Sequence, residues 1–145
     1  MTNYQHILIA VDFTPEAERV TARGRELAAQ NSARLSIIHV VEYSSSMYAA
    51  GVTMPEQYKL DEELVASAAI NLKELALTHS LGDAKQYVEL GVPKLEIIRV
   101  AEEQNVDLIV TGSHGRHGLQ LLLGSTANGV LHLAKCDVLA VRVGS

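Results

Sequence analysis

Tryptophan is absent from this 145-residue chain, Phe13 is its one phenylalanine and Cys136 its one cysteine. With so few large aromatic rings the core must be aliphatic, which favours Val, Ile and Leu strands covered by Ala and Leu helices. A lone cysteine excludes an intrachain disulfide framework and fits a reducing compartment. No run of Lys and Arg occurs and the formal net charge is −5. Broad nucleic-acid binding needs clustered cations to neutralise phosphate, so no nucleic-acid partner is expected. Long apolar runs are missing too. Ile7 to Val11 is too short for a signal-peptide core or a membrane span, and no Lys or Arg precedes it. The expectation is a cytoplasmic protein with no membrane partner.

Hydrophobic residues make up 48% of the chain and charged residues 20%, a balance that suits a water-soluble globule rather than a disordered chain. A chain of this length buries roughly two thirds of its unfolded surface, enough for one core, and a single domain over residues 1–145 is expected. Ile7 to Val11 is continuously apolar rather than alternating, the mark of a strand covered on both faces. Thr14, Pro15 and Glu16 read as an N-cap, a first-turn proline and a first-turn acid opening a helix to about Asn31, with Val20, Leu27 and Ala28 on one stripe. A strand over 34–41 comes next, then a segment from Glu42 to Gly51 with no clear period. Leu60, Leu64, Ala68, Leu72 and Leu75 predict a helix from Pro55 to about Ser80. Strands are predicted over 86–90, 106–111 and 138–143, with a helix from Pro93 to about Asn105 between the first two. A last helix carries Ala127, Val130, Leu131 and Ala134 on its apolar face. This βαβαβαβαβ alternation implies right-handed crossovers and a mostly parallel sheet with helices on both faces.

The stretch Thr111 to Thr126 leaves a buried strand and enters a helix. In doubly wound sheets ligands bind beyond the carboxyl ends of the strands, near the point where strand order reverses. Gly112 and Gly115 let backbone amides approach an anion, Ser125 and Thr126 stand where free helix N–H groups attract phosphate, and Arg116 adds a cation. The plainer alternative is that Gly112, Gly115 and Gly118 only let the chain turn, and that Ser125 or Thr126 only caps a helix. His114 and His117 lie three apart with no third ligand in view, so solvated or phosphate-facing imidazoles are favoured over a zinc site. His6, His39, His79 and His132 receive no chemistry. Ser125 and Thr126 have no evident base, which leaves a nucleophilic triad unsupported, and Cys136 reads as a packed turn residue. The segment Tyr43 to Gly51 is a lid, a dimer contact or a plain connector.

Four separated blocks resemble the universal stress protein family, of the bacterial UspA type. They are His6 to Asp12, Ile37 to Val40, Asp107 to Gly115, and Leu123 to Thr126 followed by Cys136 to Val141. The resemblance spans essentially the whole chain. It implies a single three-layer α/β domain with a five-stranded parallel sheet of order 3-2-1-4-5. It further implies a homodimer through the last strand, Val138 to Val143, the alternative being an edge shielded within one chain. Nucleotide-binding members carry G-x2-G-x9-G-(S/T); here Gly112-x2-Gly115 matches, but eight residues separate Gly115 from Gly124. Losing one residue from a helical stretch rotates the later residues by about 100° unless the loop absorbs it, and Gly118 offers that slack.

By the same resemblance Ala10, Asp12 and the backbone of Val40 bound the adenine and ribose, with Thr111 and Gly112 beside the sugar. Gly115, Arg116, Gly124, Ser125 and Thr126 surround the phosphates. Asp12 has a plainer reading as a strand end bonding the next turn. The function implied is a stress-response regulatory homodimer that binds ATP or a related adenine nucleotide, with or without Mg2+. Occupancy would alter the loop from Gly112 to Ser125 and thereby an unidentified regulatory protein partner. The alternatives are an interaction module of the same fold that takes no nucleotide, and a slow ATP hydrolase, for which no residue to orient water is evident. No catalytic residue and no metal ligand is assigned.

Overall fold

The structure is a computed structural model that describes residues 3–42, 54–113 and 124–142, with side chains of the second helix described from Lys59 onward. In chain order the elements are β1 (His6–Ala10), α1 (Ala17–Asn31), β2 (Arg34–Val41), α2 (Met54–Thr78) and β3 (Lys85–Leu90). They continue with α3 (Pro93–Glu103), β4 (Leu108–Gly112), α4 (Ser125–Leu133) and β5 (Asp137–Val141). The strands form one sheet of order β3-β2-β1-β4-β5, and each neighbouring pair is parallel.

The unbroken apolar run of β1 is explained by two helix layers. Ile7 and Ile9 pack with Val20 and Ala28 of α1 and Leu72 and Ala76 of α2, whereas Leu8 and Ala10 pack with Ile97 and Val100 of α3 and Val130 of α4. Alternate residues of a strand point to opposite faces, so only a strand apolar at every position serves both layers. The predicted order 3-2-1-4-5 and the three-layer arrangement are those of the structure.

Several local readings are corrected. Thr14 does not cap α1: its hydroxyl donates to Asp12 Oδ1 at 2.5 Å, and the helix begins at Ala17 behind Glu16, which supplies no side-chain cap. The carbonyl of Thr14 accepts from Ala17 N at 3.0 Å, so Thr14 and Pro15 form the turn ahead of the helix. Buried Thr21 and Gly24 belong to the inner face of α1, and Leu27 is only half-buried. Leu64 falls off the predicted stripe of α2 and is 44% exposed, while Ala68, Leu72 and Ala76 are buried. A helix of 25 residues spans about 37 Å, nearly twice the reach of the six-residue β3, so α2 is too long for its whole length to lie along that strand. On α4, Leu131 is 41% exposed and Gly129 is buried in its place. A Cβ at Gly129 would lie 2.4 Å from Lys94 Cδ, so the missing side chain makes room for the lysine stem of α3. β5 begins one residue earlier than predicted, at Asp137, and Val143 lies outside the described residues.

The amino ends of the strands are locked by polar contacts. Asp107 accepts the backbone N–H of Gln5 at 2.9 Å and of His6 at 3.0 Å, joining β1 to the start of β4. The His6 ring is buried, with Nε2 2.8 Å from Ser36 Oγ and Nδ1 3.1 Å from the Gln104 carbonyl. Nδ1 also lies 3.4 Å from Arg34 Nη2, a donor, but the shorter contact to the Gln104 carbonyl, which only accepts, assigns the proton to Nδ1, and Ser36 then donates to Nε2. Burial pushes the His6 pKa below its ordinary value, the Gln104 carbonyl opposes this, and Arg34 adds to it. No helix among the described residues is long and apolar enough to cross a membrane.

Candidate functional site

The order β2-β1-β4 places the reversal of strand order at β1, where the connection through α1 departs to one side and β4 lies on the other. The crevice beyond the carboxyl ends of β1 and β4 is therefore the position a ligand takes in folds of this kind.

β1 delivers Ala10, at the limit of burial, and then Val11, whose N–H donates to the Ile38 carbonyl at 3.0 Å and so extends the pairing with β2 past the strand end. Asp12 is next, half-buried. Its Oδ1 accepts from both the backbone N–H of Thr14, at 3.2 Å, and the Thr14 hydroxyl. An aspartate that closes a turn two residues ahead has its carboxylate fixed in direction. β2 delivers Val40, 9% exposed, at the same rim. Beside it His39 Nδ1 donates to the Val11 carbonyl at 2.9 Å, and the His39 ring lies against Phe13, centroids 4.1 Å apart and planes inclined by 30°. Phe13 is 41% exposed, so this pair forms a partly open aromatic wall next to Asp12.

β4 ends in buried Thr111, whose Oγ1 lies 3.4 Å from the Gly112 carbonyl, then half-buried Gly112 and buried Ser113. The Ser113 N–H donates to Val141 on β5 at 2.8 Å, and the Ser113 carbonyl accepts from Gly124 N at 2.7 Å. That second bond joins the end of β4 to the start of α4 across the segment 114–123. Gly124 occupies the N-cap of α4 in an extended conformation, and no side chain caps the helix. The first intrahelical bond runs from Asn128 N to Gly124 O at 2.9 Å, which leaves the amides of Ser125, Thr126 and Ala127 without an intrahelical acceptor. Ser125 is exposed and Thr126 half-buried. The reading in which Ser125 or Thr126 merely caps the helix is thereby removed.

Of the residues singled out in the sequence, Ala10, Asp12, Val40, Thr111, Gly112, Gly124, Ser125 and Thr126 meet at this rim. Gly115, Arg116, His114, His117, Gly118 and the segment Tyr43 to Gly51 lie outside the described residues. Sequence reasoning misses Phe13, His39 and Ser113. The adjacency of His39 and Phe13 depends on β2 lying beside β1 and has no signature in local spacing; the sole phenylalanine directly after Asp12 is the available hint. Among the described residues no three His, Cys, Asp or Glu side chains gather as metal ligands.

Fold and rim together define an open, doubly wound α/β domain with the uncapped start of α4 joined to the carboxyl end of β4 at its switch point. The model of the universal stress protein family matches residues 3–142. Universal stress protein A homolog 1 of Coxiella burnetii is 43% identical over 96% of both chains. Among solved structures, one determined as a test case of structural genomics superposes with a TM-score of 0.83 at 24% identity, covering 99% of each chain. Another, a universal stress protein in complex with cAMP, gives 0.64 at 24% identity over 96% of this chain and 97% of its own. Both structures share the fold. The chain belongs to the universal stress protein family.

Proposed function

We propose that residues 1–145 form one stress-response domain that binds an adenine nucleotide at the carboxyl ends of β1, β2 and β4. The observation that carries this reading is the bond from Gly124 N to the Ser113 carbonyl combined with the uncapped start of α4. Although the glycine motif is one residue short, the helix start is still held against the end of β4. Its free amides then present partial positive charge to a phosphate. Asp12 and the Val40 backbone would take the ribose and adenine, with Thr111 and Gly112 beside the sugar, and Gly115 and Arg116 are assigned to the phosphate side. The solved relative in complex with cAMP supports an adenine ligand for this fold.

A magnesium ion accompanying ATP would be held mainly by the phosphates, since the Asp12 carboxylate is already engaged by Thr14. The role assigned is regulatory binding in the cytoplasm, as a homodimer through β5, with occupancy read by a protein partner.

Equilibrium titration with ATP, ADP, AMP and cAMP, with and without magnesium, tests the proposal, together with thermal unfolding. A ligand at a hundred times its Kd adds about 2.7 kcal/mol to stability by mass action and so moves Tm upward by several degrees. No binding and no shift at millimolar nucleotide would refute it. The one-residue shortfall favours a second reading, an interaction module that takes no nucleotide, which predicts a Tm indifferent to all four.

A further inference from the structure

β5 is an edge strand: β4 pairs one side of it, and no described strand pairs the other. Its two ends differ in charge. At the amino end Asp137 faces the α1 layer, where its Oδ2 accepts a 2.6 Å hydrogen bond from the hydroxyl of Tyr4. Leu139 and Val141 face the same layer and pack in the same core cluster as Tyr4. At the carboxyl end a groove of about 410 Å3 opens between α1 and β5, lined by Arg19, Arg23, Glu26, Leu139, Val141 and Arg142 among others. Arg23 pairs with Glu26 at 3.2 Å, whereas Arg19 and Arg142 have no ion-pair partner among the described residues. The α1 side of the groove thus carries two arginines, Arg19 and Arg23, to one carboxylate, Glu26, and Arg142 borders it at the end of β5, in a chain whose net charge is −5. The groove calls for an anion that arrives along an exposed strand edge.

A second copy of the chain supplies one. A two-fold axis through Leu139, normal to the sheet, would set the two β5 edges antiparallel and bring Asp137 opposite the partner subunit's Val141. Directly opposed residues share a face, so the partner subunit's Asp137 arrives on the α1 side, at the mouth of the groove. A slip of one residue carries it to the other face, so the charges also select the register. We propose that the carboxylate of the partner subunit's Asp137 is the ligand of the arginine groove, and that two such clamps, one at each end of the paired strands, hold the dimer in register. The inference rests on the homodimer read above and adds which residues hold it. Tyr4 acts as a positioning residue that fixes the direction of the carboxylate.

Sedimentation equilibrium of the full chain tests this, with circular dichroism and thermal melts to verify folding. Asp137→Arg and the double variant Arg19→Asp/Arg23→Asp each oppose like charges, and each should weaken self-association roughly tenfold or more. An equimolar mixture of the two restores attraction at both clamps and should form heterodimers as tight as the wild-type dimer. Asp137→Asn, which keeps the shape of the side chain, should weaken the dimer by a smaller factor. A dimeric wild type whose association constant is unchanged in all these variants, with no gain on mixing, overturns the clamp while leaving the dimer standing. The clamp is also overturned if a roughly tenfold excess of inorganic phosphate over protein stabilises the wild type but not the arginine variant while dimerisation stays equal, since the groove then serves a free anion. A monomeric wild type overturns the homodimer and the clamp with it.

Discussion

Replacing Gly24 by Ala would put a methyl group 2.4 Å from Ile9 Cδ1 and 2.6 Å from Ile9 Cγ1. Carbon atoms in a packed core sit about 3.5–4.0 Å apart, so the helix or the isoleucine must yield by roughly 1 Å or more. Ile9 cannot turn out to solvent, since it is fully buried in the cluster that includes Ile37 and Val110. Overpacking of this kind costs about 1–3 kcal/mol, against a gain of about 0.5–1 kcal/mol from removing a glycine inside a helix. The net expectation is a loss of about 0–2.5 kcal/mol, where an exposed helix would show a gain. Ile9→Val removes the Cδ1 carbon that clashes first and on its own should cost about 0.5–1.5 kcal/mol. Combined with Gly24→Ala it should cost less than the sum of the two, with a coupling of about 1 kcal/mol. Urea unfolding monitored by circular dichroism, on all four corners of the cycle, measures this. A stabilising Gly24→Ala, or strict additivity of the pair, would show that close approach of α1 to β1 is not what the glycine serves.

His6 is held neutral in the fold, with its pKa lowered by burial, so an unfolded chain with the ordinary value of 6.5 takes up the proton first. Stability should therefore be complete above about pH 6.5 and fall below it, by at most ~1.4 kcal/mol per pH unit from this group, until the folded-state pKa is passed. Denaturant midpoints from pH 8 to 5 should decline less steeply in His6→Gln than in the wild type. Asp107→Ala strands the N–H groups of Gln5 and His6 and should cost about 1–3 kcal/mol; Asp107→Asn, which keeps one acceptor, should cost less. The Cys136 thiol is pushed up chiefly by burial and next by Asp137, so alkylation by iodoacetamide at pH 7.5 should be slower in the folded chain than in urea. Equal rates would contradict a packed Cys136.

The order of elements is legible because most strands are short, apolar-rich runs and the helices are longer and amphipathic, and β1 in particular announces burial on two faces by having no polar residue from Ile7 to Val11. The strand order itself comes through the family resemblance, since local periodicity does not say which strands are neighbours. Errors fall where long-range contacts overrule local pattern. Thr14 looks like a helix cap but spends its hydroxyl on Asp12, Leu131 looks buried but faces out, and Gly129 looks like a weak helix residue but accommodates Lys94. At the rim, the residues of strand ends are legible and the Phe13 and His39 wall is not, because it depends on two strands meeting side by side. The buried His6 and Ser36 pair escapes for the same reason, its members lying thirty positions apart in sequence.

The hydrogen bond between Gly124 and Ser113 has a consequence for how this fold tolerates change in evolution. It joins the chain on either side of residues 114–123 and passes the position of α4 to β4 and β5 directly. Loop-closure entropy varies only slowly with length, so adding or removing a residue between 114 and 123 costs little, on the order of tenths of a kcal/mol. Length in that segment is thus uncoupled from the frame that carries it. Residue counts between the glycines can change while the helix start stays in place, without any need to refold the domain.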